Sequence, residues 1–234
     1  MAAFTERVGG TSDPPYRSLN LGFHTGDRAE SVAENRRRAV AALDVPRFAC
    51  AQQVHGAGLA RVGDRRAGSG FGGHEDAIPE ADALAVTRDR LPVAILVADC
   101  LPIALASAPE GRLVAVHAGW RGVAAGILDR AVQEFDRPSE VLAAIGPAIG
   151  PCHYEVGDEV ALAVAAGSPA GVITERRDGR LFLDLPGTAV RALRAAGVQS
   201  IERAGLCTVD EPRRFYSHRR DGGTGRQAMI AMRL

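Results

Sequence analysis

The middle of the chain, VAILVADCLPIALASAPEGRLVAVHAGWRG from Val93 to Gly122, alternates apolar runs with turn residues. Three runs of strand length (93–98, 102–107 and 112–117) are rich in Val, Ile and Leu, and Asp99–Cys100 and Pro109–Glu110–Gly111 separate them. The pattern predicts an antiparallel meander whose first and third strands end at the same sheet edge. Cys100 and His117 then lie two strand spacings apart, roughly 9–10 Å between backbones. A single metal ion can bridge a thiolate and an imidazole over such a gap, with Zn–S about 2.3 Å and Zn–N about 2.0–2.1 Å.

On either side the pattern is mixed. Residues 5–27 are crowded with turn formers, and the alternation of Phe4, Val8, Leu19, Leu21 and Phe23 suggests short strands. Asp27 and Glu30 resemble a capping box opening a helix from Ala29 to Leu43, whose inner face is Val32, the stem of Arg36, Val40 and Leu43, with Arg37 and Arg38 in solvent. Residues 48–62 read as strand broken by QVHG at 53–56. Residues 65–79 form a glycine-rich loop in which Gly68, Gly70 and Gly73 match G-x-G-x-x-G, but no strand leads directly in and no helix follows, so it is read as a mobile loop. A strand follows at 81–87. Val123, Ile127, Ala131 and Phe135 repeat every four residues and predict one amphipathic helix over 121–135. Then come a strand at 141–145, a helix at 158–166 stopped by Gly167, a hairpin turned by Asp178–Gly179, a helix from Pro186 to Gly197 and a last strand at 227–232. Without strict βαβ alternation, this order predicts an α/β fold of α+β type: one layered sandwich domain with mixed β-sheets over 1–234.

Charge narrows the function classes. The chain carries 28 basic and 28 acidic residues, a formal net charge of zero, which argues against a protein built to coat nucleic acid or an anionic membrane. No apolar run approaches the roughly 20 residues of a membrane span, and the N-terminus lacks a signal-peptide pattern. The 4 cysteines (Cys50, Cys100, Cys152, Cys207) are scattered and give no disulfide framework, which points to a reducing, cytoplasmic setting.

Candidate chemistry centres on His55, Cys100 and His117, each at a strand end beside glycine or a turn. Catalytic zinc takes three protein ligands and keeps one position open. The residue types leave a second reading standing, in which Cys100 is a buried small hydrophobe and both histidines are structural. Asp99 either orients a ligand or moves a proton, or caps its own turn. Arg121, between Gly119 and Gly122 at a helix start, is either an anion contact or a surface arginine. FYSHRRDGGTGRQ (215–227) suits recognition of a polar ligand or a solvated turn. Phe215 and Tyr216 read as core, the adjacent pair Cys152–His153 as packing rather than a second metal pair, and His74 as exposed.

SLNLGFHTGD (18–27), ENRRR (34–38), QVHG (53–56), ADALAVT (81–87), ADCLPI (98–103), HAGWRG (117–122), IGPAIGPCHYEVG (145–157) and FYSHRRDGGTGRQ (215–227) together resemble the YfiH-type, or laccase-domain, family. These proteins were first labelled polyphenol oxidases and are now regarded as purine nucleoside phosphorylases. The motifs follow the family's order over nearly the whole chain. The resemblance implies a YfiH-like sandwich fold and a catalytic zinc held by His55, Cys100 and His117, with copper as the alternative metal. It implies phosphorolysis of adenosine, inosine, guanosine or methylthioadenosine, with adenosine deamination as a further activity. Purine nucleosides and phosphate are then the partners, and neither nucleic acid nor membrane. Cys100, Asp99 and Arg121 become the catalytic candidates; Asn20, Gln53, Arg220 and Arg226 become the substrate contacts. His218 departs from the family, which more often shows an aromatic residue such as Tyr there. A copper-dependent phenol oxidoreductase, a cysteine or zinc amidohydrolase acting on peptidoglycan precursors, and a zinc-stabilised binding module are the competing readings. Monomer and homodimer are both compatible with the sequence.

Overall fold

A computed structural model describes residues 1–168 and 170–234. The first half of the chain forms β1 (Ala2–Phe4), α1 (Ala29–Leu43), β2 (Ala49–Cys50), β3 (Leu59–Arg61), β4 (Ala83–Val86), β5 (Val93–Val97), β6 (Leu101–Ser107) and β7 (Arg112–Ala118). The second forms α2 (Trp120–Ala124), α3 (Ile127–Val132), β8 (Leu142–Ile145), β9 (Glu155–Val156), α4 (Asp158–Gly167), β10 (Thr174–Arg177), β11 (Arg180–Leu183), α5 (Leu185–Ala195), β12 (Ser200–Arg203), α6 (His218–Asp221) and β13 (Gln227–Ala231).

Two mixed sheets lie face to face. One has the order β1-β13-β5-β2 and the other β12-β8-β6-β7-β4-β3, with a small third sheet β10-β11-β9 at the side. Period-2 alternation decides what each strand touches. Val93, Ile95 and Val97 of β5 meet Leu84, Val86, Leu113 and Ala115 of the six-stranded sheet in a dry middle layer. The intervening Ala94 and Leu96 turn the other way, onto Ala39 of α1, Phe48 and Phe71. Leu101, Ile103, Leu105, Val114 and Val116 face outward from the six-stranded sheet onto Val123, Ile127 and Ala131 of α2 and α3 and Leu185, Ala189 and Leu193 of α5. Helix, sheet, sheet and helices therefore stack as a layered α/β sandwich.

Several expectations change. The meander does not form, because β5 pairs with β13 and β2 while β6 and β7 pair with each other in the opposing sheet. The chain changes sheet at residues 98–100, where Asp99 takes φ +94°. The helix expected over 121–135 is two helices, because Gly126 at φ +80° interrupts them; the buried stripe of Val123, Ile127, Ala131 and Phe135 survives the break. Asp27 does not cap α1. Its oxygens accept from Arg28 N (2.8 Å), Ser12 Oγ (2.6 Å) and Asn20 Nδ2 (2.9 Å), and Arg28 is the residue at the helix start. Beyond β1, residues 5–27 form a short 3-10 helix at Phe23–Thr25 and no strand, although Leu21 is fully buried. The hairpin turn is as expected, with Asp178 and Gly179 at φ +48° and +78°, the signature of a primed turn.

Arg36 needs a separate account, since α1 buries the guanidinium as well as its stem. Its nitrogens donate to the carbonyls of Leu21 (2.8 Å), Phe71 (3.2 Å) and Gly70, and the guanidinium lies over the Phe23 and Phe48 rings at 4.5 and 5.3 Å. Main-chain dipoles and aromatic faces thus stand in for a carboxylate. They also pin the glycine-rich loop, expected to be mobile, against α1. Arg36→Leu strands these carbonyls and is expected to destabilise the fold by about 3 kcal/mol. Urea titration checks this, and a loss below about 1 kcal/mol would mean the loop is anchored by other contacts.

Candidate active site and metal centre

The site lies where the two sheets exchange the chain, and Asp82 organises it. Asp82 is fully buried just before β4. Its carboxylate accepts main-chain N–H groups from Val54 (3.3 Å), His55 (3.0 Å) and Gly56 (2.8 Å), and so closes the QVHG loop around itself. His55 adopts φ +61° within that loop. The same carboxylate lies 2.8 Å from Nδ1 of His117. With Nδ1–H donating to Asp82, the His117 ring turns Nε2 into the site, the carboxylate–histidine arrangement that orients a metal ligand. Burial alone would push the Asp82 carboxyl up, but the bonds from His117 and Gly56 and the charge of His117 hold it below its ordinary value.

β6 and β7 bring in the other ligand. Leu101 pairs with Ala118 and Pro102 with His117, so Cys100 and His117 are one strand spacing apart, closer than a meander would place them. Donor atoms of His55, Cys100 and His117 all lie within 4.8 Å of one another, and the two imidazole rings are 4.8 Å apart between centroids at 75°. Burial would raise the Cys100 thiol, but the charge and hydrogen bonds of His117 and His55 outweigh it and bring it down to about 6. Burial likewise disfavours the His117 cation, and the Cys100 charge with the Asp82 bond reverses this, holding His117 up at about 9. A thiolate facing imidazoles is a donor set for a zinc-class or copper-class ion rather than magnesium. A Cβ on Gly119 would come 2.9 Å from Cys100 Sγ and 3.3 Å from His55 Cδ2, so the glycine after HA is what lets the backbone pass the ligands.

The trio opens into a cavity of about 720 Å³, within the range of small-molecule sites. Of the expected contacts, Gln53, Asp99, Arg121 and Arg226 line it, and so does His218. Gln53 is spoken for, because its amide exchanges both bonds with the backbone of Leu96 (2.8 Å each) and extends the edge of β5. Asp99 is engaged as well: Oδ1 accepts from Thr208 Oγ1 at 2.6 Å and Oδ2 from Arg219 N at 2.7 Å. Arg121 is exposed and rests on the Trp120 ring at 4.4 Å. Two expected contacts are not brought to the cavity wall. Asn20 is fully buried, binding Thr25, Asp27, Gly22 and Arg226 N, so it braces the loop rather than reaching the cavity. Arg220 spends its guanidinium on Asp221 and on the carbonyls of Thr208 and Phe215.

Other residues join the wall without having been singled out for it. His24 and His74 face each other at 5.6 Å between rings, and both line the cavity. Burial first, then the charges of Arg226 and nearby groups, press His24 down to about 4, so its imidazole is neutral at pH 7. His74, expected merely to be exposed, is both exposed and part of the wall. Tyr154, Trp120 and Arg219 complete it, with Arg219 donating to the Glu155 carbonyl at 2.8 Å. No local signal marked the two histidines, which sit alone in loops. Asp82 lay in plain view inside ADALAVT, yet a single carboxylate before a strand has no distinctive spacing.

Comparison with known proteins bears on the family and the fold. The family model described as "Multi-copper polyphenol oxidoreductase laccase" matches residues 1–234. The chain is similar to the purine nucleoside phosphorylase YfiH of Escherichia coli, 38% identical over 230 residues that cover 97% of this chain and 91% of that protein. It is equally similar to the purine nucleoside phosphorylase YlmD of Geobacillus stearothermophilus, 38% identical over 96% of this chain and 86% of the relative. The crystal structure of that YlmD superposes with a TM-score of 0.95 at 38% identity, covering 100% of this chain and 92% of the other. The crystal structure of Bacillus licheniformis YfiH gives 0.94 at 33% identity, with the same coverage of each chain.

Proposed function

The chain belongs to the laccase-domain family whose model spans it and is similar to those YfiH and YlmD phosphorylases, and from that premise we propose that it is a zinc-dependent purine nucleoside phosphorylase. The reaction would take adenosine, inosine, guanosine or methylthioadenosine with phosphate to the free base and the sugar 1-phosphate. The observation that carries the proposal is one cavity holding both an N,N,S donor trio and three arginines, Arg121, Arg219 and Arg226. Phosphorolysis needs a phosphate held against the anomeric carbon, and guanidinium groups are the side chains best shaped for a phosphate oxygen pair.

In this reading His55, Cys100 and His117 hold the ion, and when bound zinc supplies a Lewis acid at that wall. Arg121 and Arg226 hold phosphate, and Trp120 and Tyr154 offer flat apolar faces to the purine. Asp99, with both oxygens already occupied, positions the Arg219 main chain and the Thr208 loop. Neutral His24 can donate or accept a hydrogen bond at the base or ribose without adding charge. Among the described residues no helix is long and apolar enough to cross a membrane. The reading keeps the reducing, cytoplasmic setting expected from the scattered cysteines.

The test is to incubate zinc-loaded protein with adenosine, inosine, guanosine and methylthioadenosine, with and without phosphate. Free base and sugar 1-phosphate are expected only when phosphate is present. Absence of base from all four substrates defeats the proposal. Inosine formed from adenosine regardless of phosphate assigns hydrolytic deamination to the site instead, and oxygen uptake with a phenol by the copper-loaded protein assigns oxidation.

A further inference from the structure

A second set of donors lies outside the cavity. The turn after β8 is tight, with the Gly150 carbonyl accepting from both His153 N and Tyr154 N at 3.1 Å. This brings the neighbouring side chains of Cys152 and His153 to one side. The segment after β12 runs alongside, joined by a bridge between Ala148 and Cys207 and by Gly150 N donating to Cys207 Sγ at 3.3 Å. Donor atoms of Cys152, His153, Cys207 and Asp210 all fall within 4.8 Å of one another.

The spacings fit a common central ion. Cys207 Sγ is 3.9 Å from His153 Nδ1, Cys152 Sγ is 3.4 Å from Asp210 Oδ2, and His153 Nδ1 is 3.4 Å from Asp210 Oδ1. Donors around a tetrahedral zinc, at the usual bond lengths, stand roughly 3.3–3.8 Å apart, and the 3.9 Å pair needs only a small closing movement. Adjacent ligands, which from sequence looked awkward, are reconciled by the turn.

We propose that Cys152, His153, Cys207 and Asp210 form a second, structural site for a zinc-class divalent cation, separate from the cavity trio. Two sulfurs, one imidazole and one carboxylate suit a thiophilic ion over calcium or magnesium. The trio supplies three ligands and leaves a position open, whereas this set supplies four and closes it, the pattern that distinguishes structural from catalytic zinc. Coordination releases the two thiol protons to solvent. The ion ties the turn at 150–154 to the segment at 207–210. Thr208 of that segment holds Asp99, and the His153 carbonyl accepts from Arg219 at 3.4 Å, so the clamp supports the cavity wall from behind.

The test is metal counting on full-length protein kept reduced by a phosphine, with free thiols verified by mass. Cobalt(II) and zinc are titrated into wild type, Cys152→Ser/Cys207→Ser, Asp210→Asn and Cys100→Ala. The wild type is expected to bind two ions per chain, with cobalt–thiolate absorption from three sulfurs. The double serine variant and Cys100→Ala should each bind one ion, with one and two sulfurs contributing respectively. Asp210→Asn, a milder change at an exposed position, should weaken only the second ion by about 10-fold or more. One ion per wild-type chain, lost in Cys100→Ala and unchanged in the double variant, overturns the proposal. So does a double variant that keeps the wild-type stoichiometry. Because no step depends on turnover, the outcome is independent of whether the protein proves to be a phosphorylase.

Discussion

Cys100→Ser is expected to lose zinc from the cavity and to lower kcat/KM for phosphorolysis by about 10³-fold or more, the scale of several kcal/mol of lost charge stabilisation. The physical reason is the acidity of the donor. Cys100 presents a thiolate because its pKa is brought down to about 6 beside His117, whereas a serine hydroxyl remains protonated there. Two imidazoles alone cannot offset the charge of the ion. Serine is slightly smaller and fits beside Gly119, so circular dichroism and thermal unfolding without added zinc should match wild type. Full zinc content with activity within tenfold of wild type would remove the trio from the centre of the chemistry.

Asp82→Ala should act on two levels that can be measured apart. The alanine leaves the N–H groups of Val54, His55 and Gly56 without their acceptor and frees the His117 ring. Removing a buried hub of this kind is expected to cost the metal-free fold about 3 kcal/mol. Loss of the oriented ring should weaken zinc by a further 10- to 100-fold. Asp82→Asn retains one carbonyl oxygen, so it should recover part of the stability and little of the zinc affinity. Chelator competition and urea titration separate the two effects; an alanine variant with wild-type affinity would show that His117 needs no brace. The carboxyl is held below its ordinary value, so its contribution is complete above about pH 4 and is lost only as acid passes below that range.

How far the fold could be read in advance differed from element to element, for physical reasons. α1 falls on the expected residues, Ala29–Leu43, because a 3.6-residue period over four turns admits one reading. β5, β6 and β7 were each legible as strands, but alternation says which faces are buried and nothing about which neighbour supplies the hydrogen bonds. That gap produced the meander. The break at Gly126 was hidden because both helices share one apolar stripe, so the period continues through the interruption. Strand-end settings singled out His55, Cys100 and His117, and the resemblance made the three a ligand set; the meander that first paired Cys100 with His117 does not form. His24 and His74 reach the cavity by the folding of loops distant in sequence, which no local pattern records, whereas Arg219 belongs to the 215–227 segment already read as suited to a polar ligand.

The change of sheet at Asp99 gives the site a mechanical meaning. His55 follows a strand of the four-stranded sheet, His117 ends a strand of the six-stranded one, and Cys100 lies on the segment crossing between them. An ion held by all three would tie both sheets together at the point where the chain itself joins them. Loss of such an ion would then loosen the two layers at that edge.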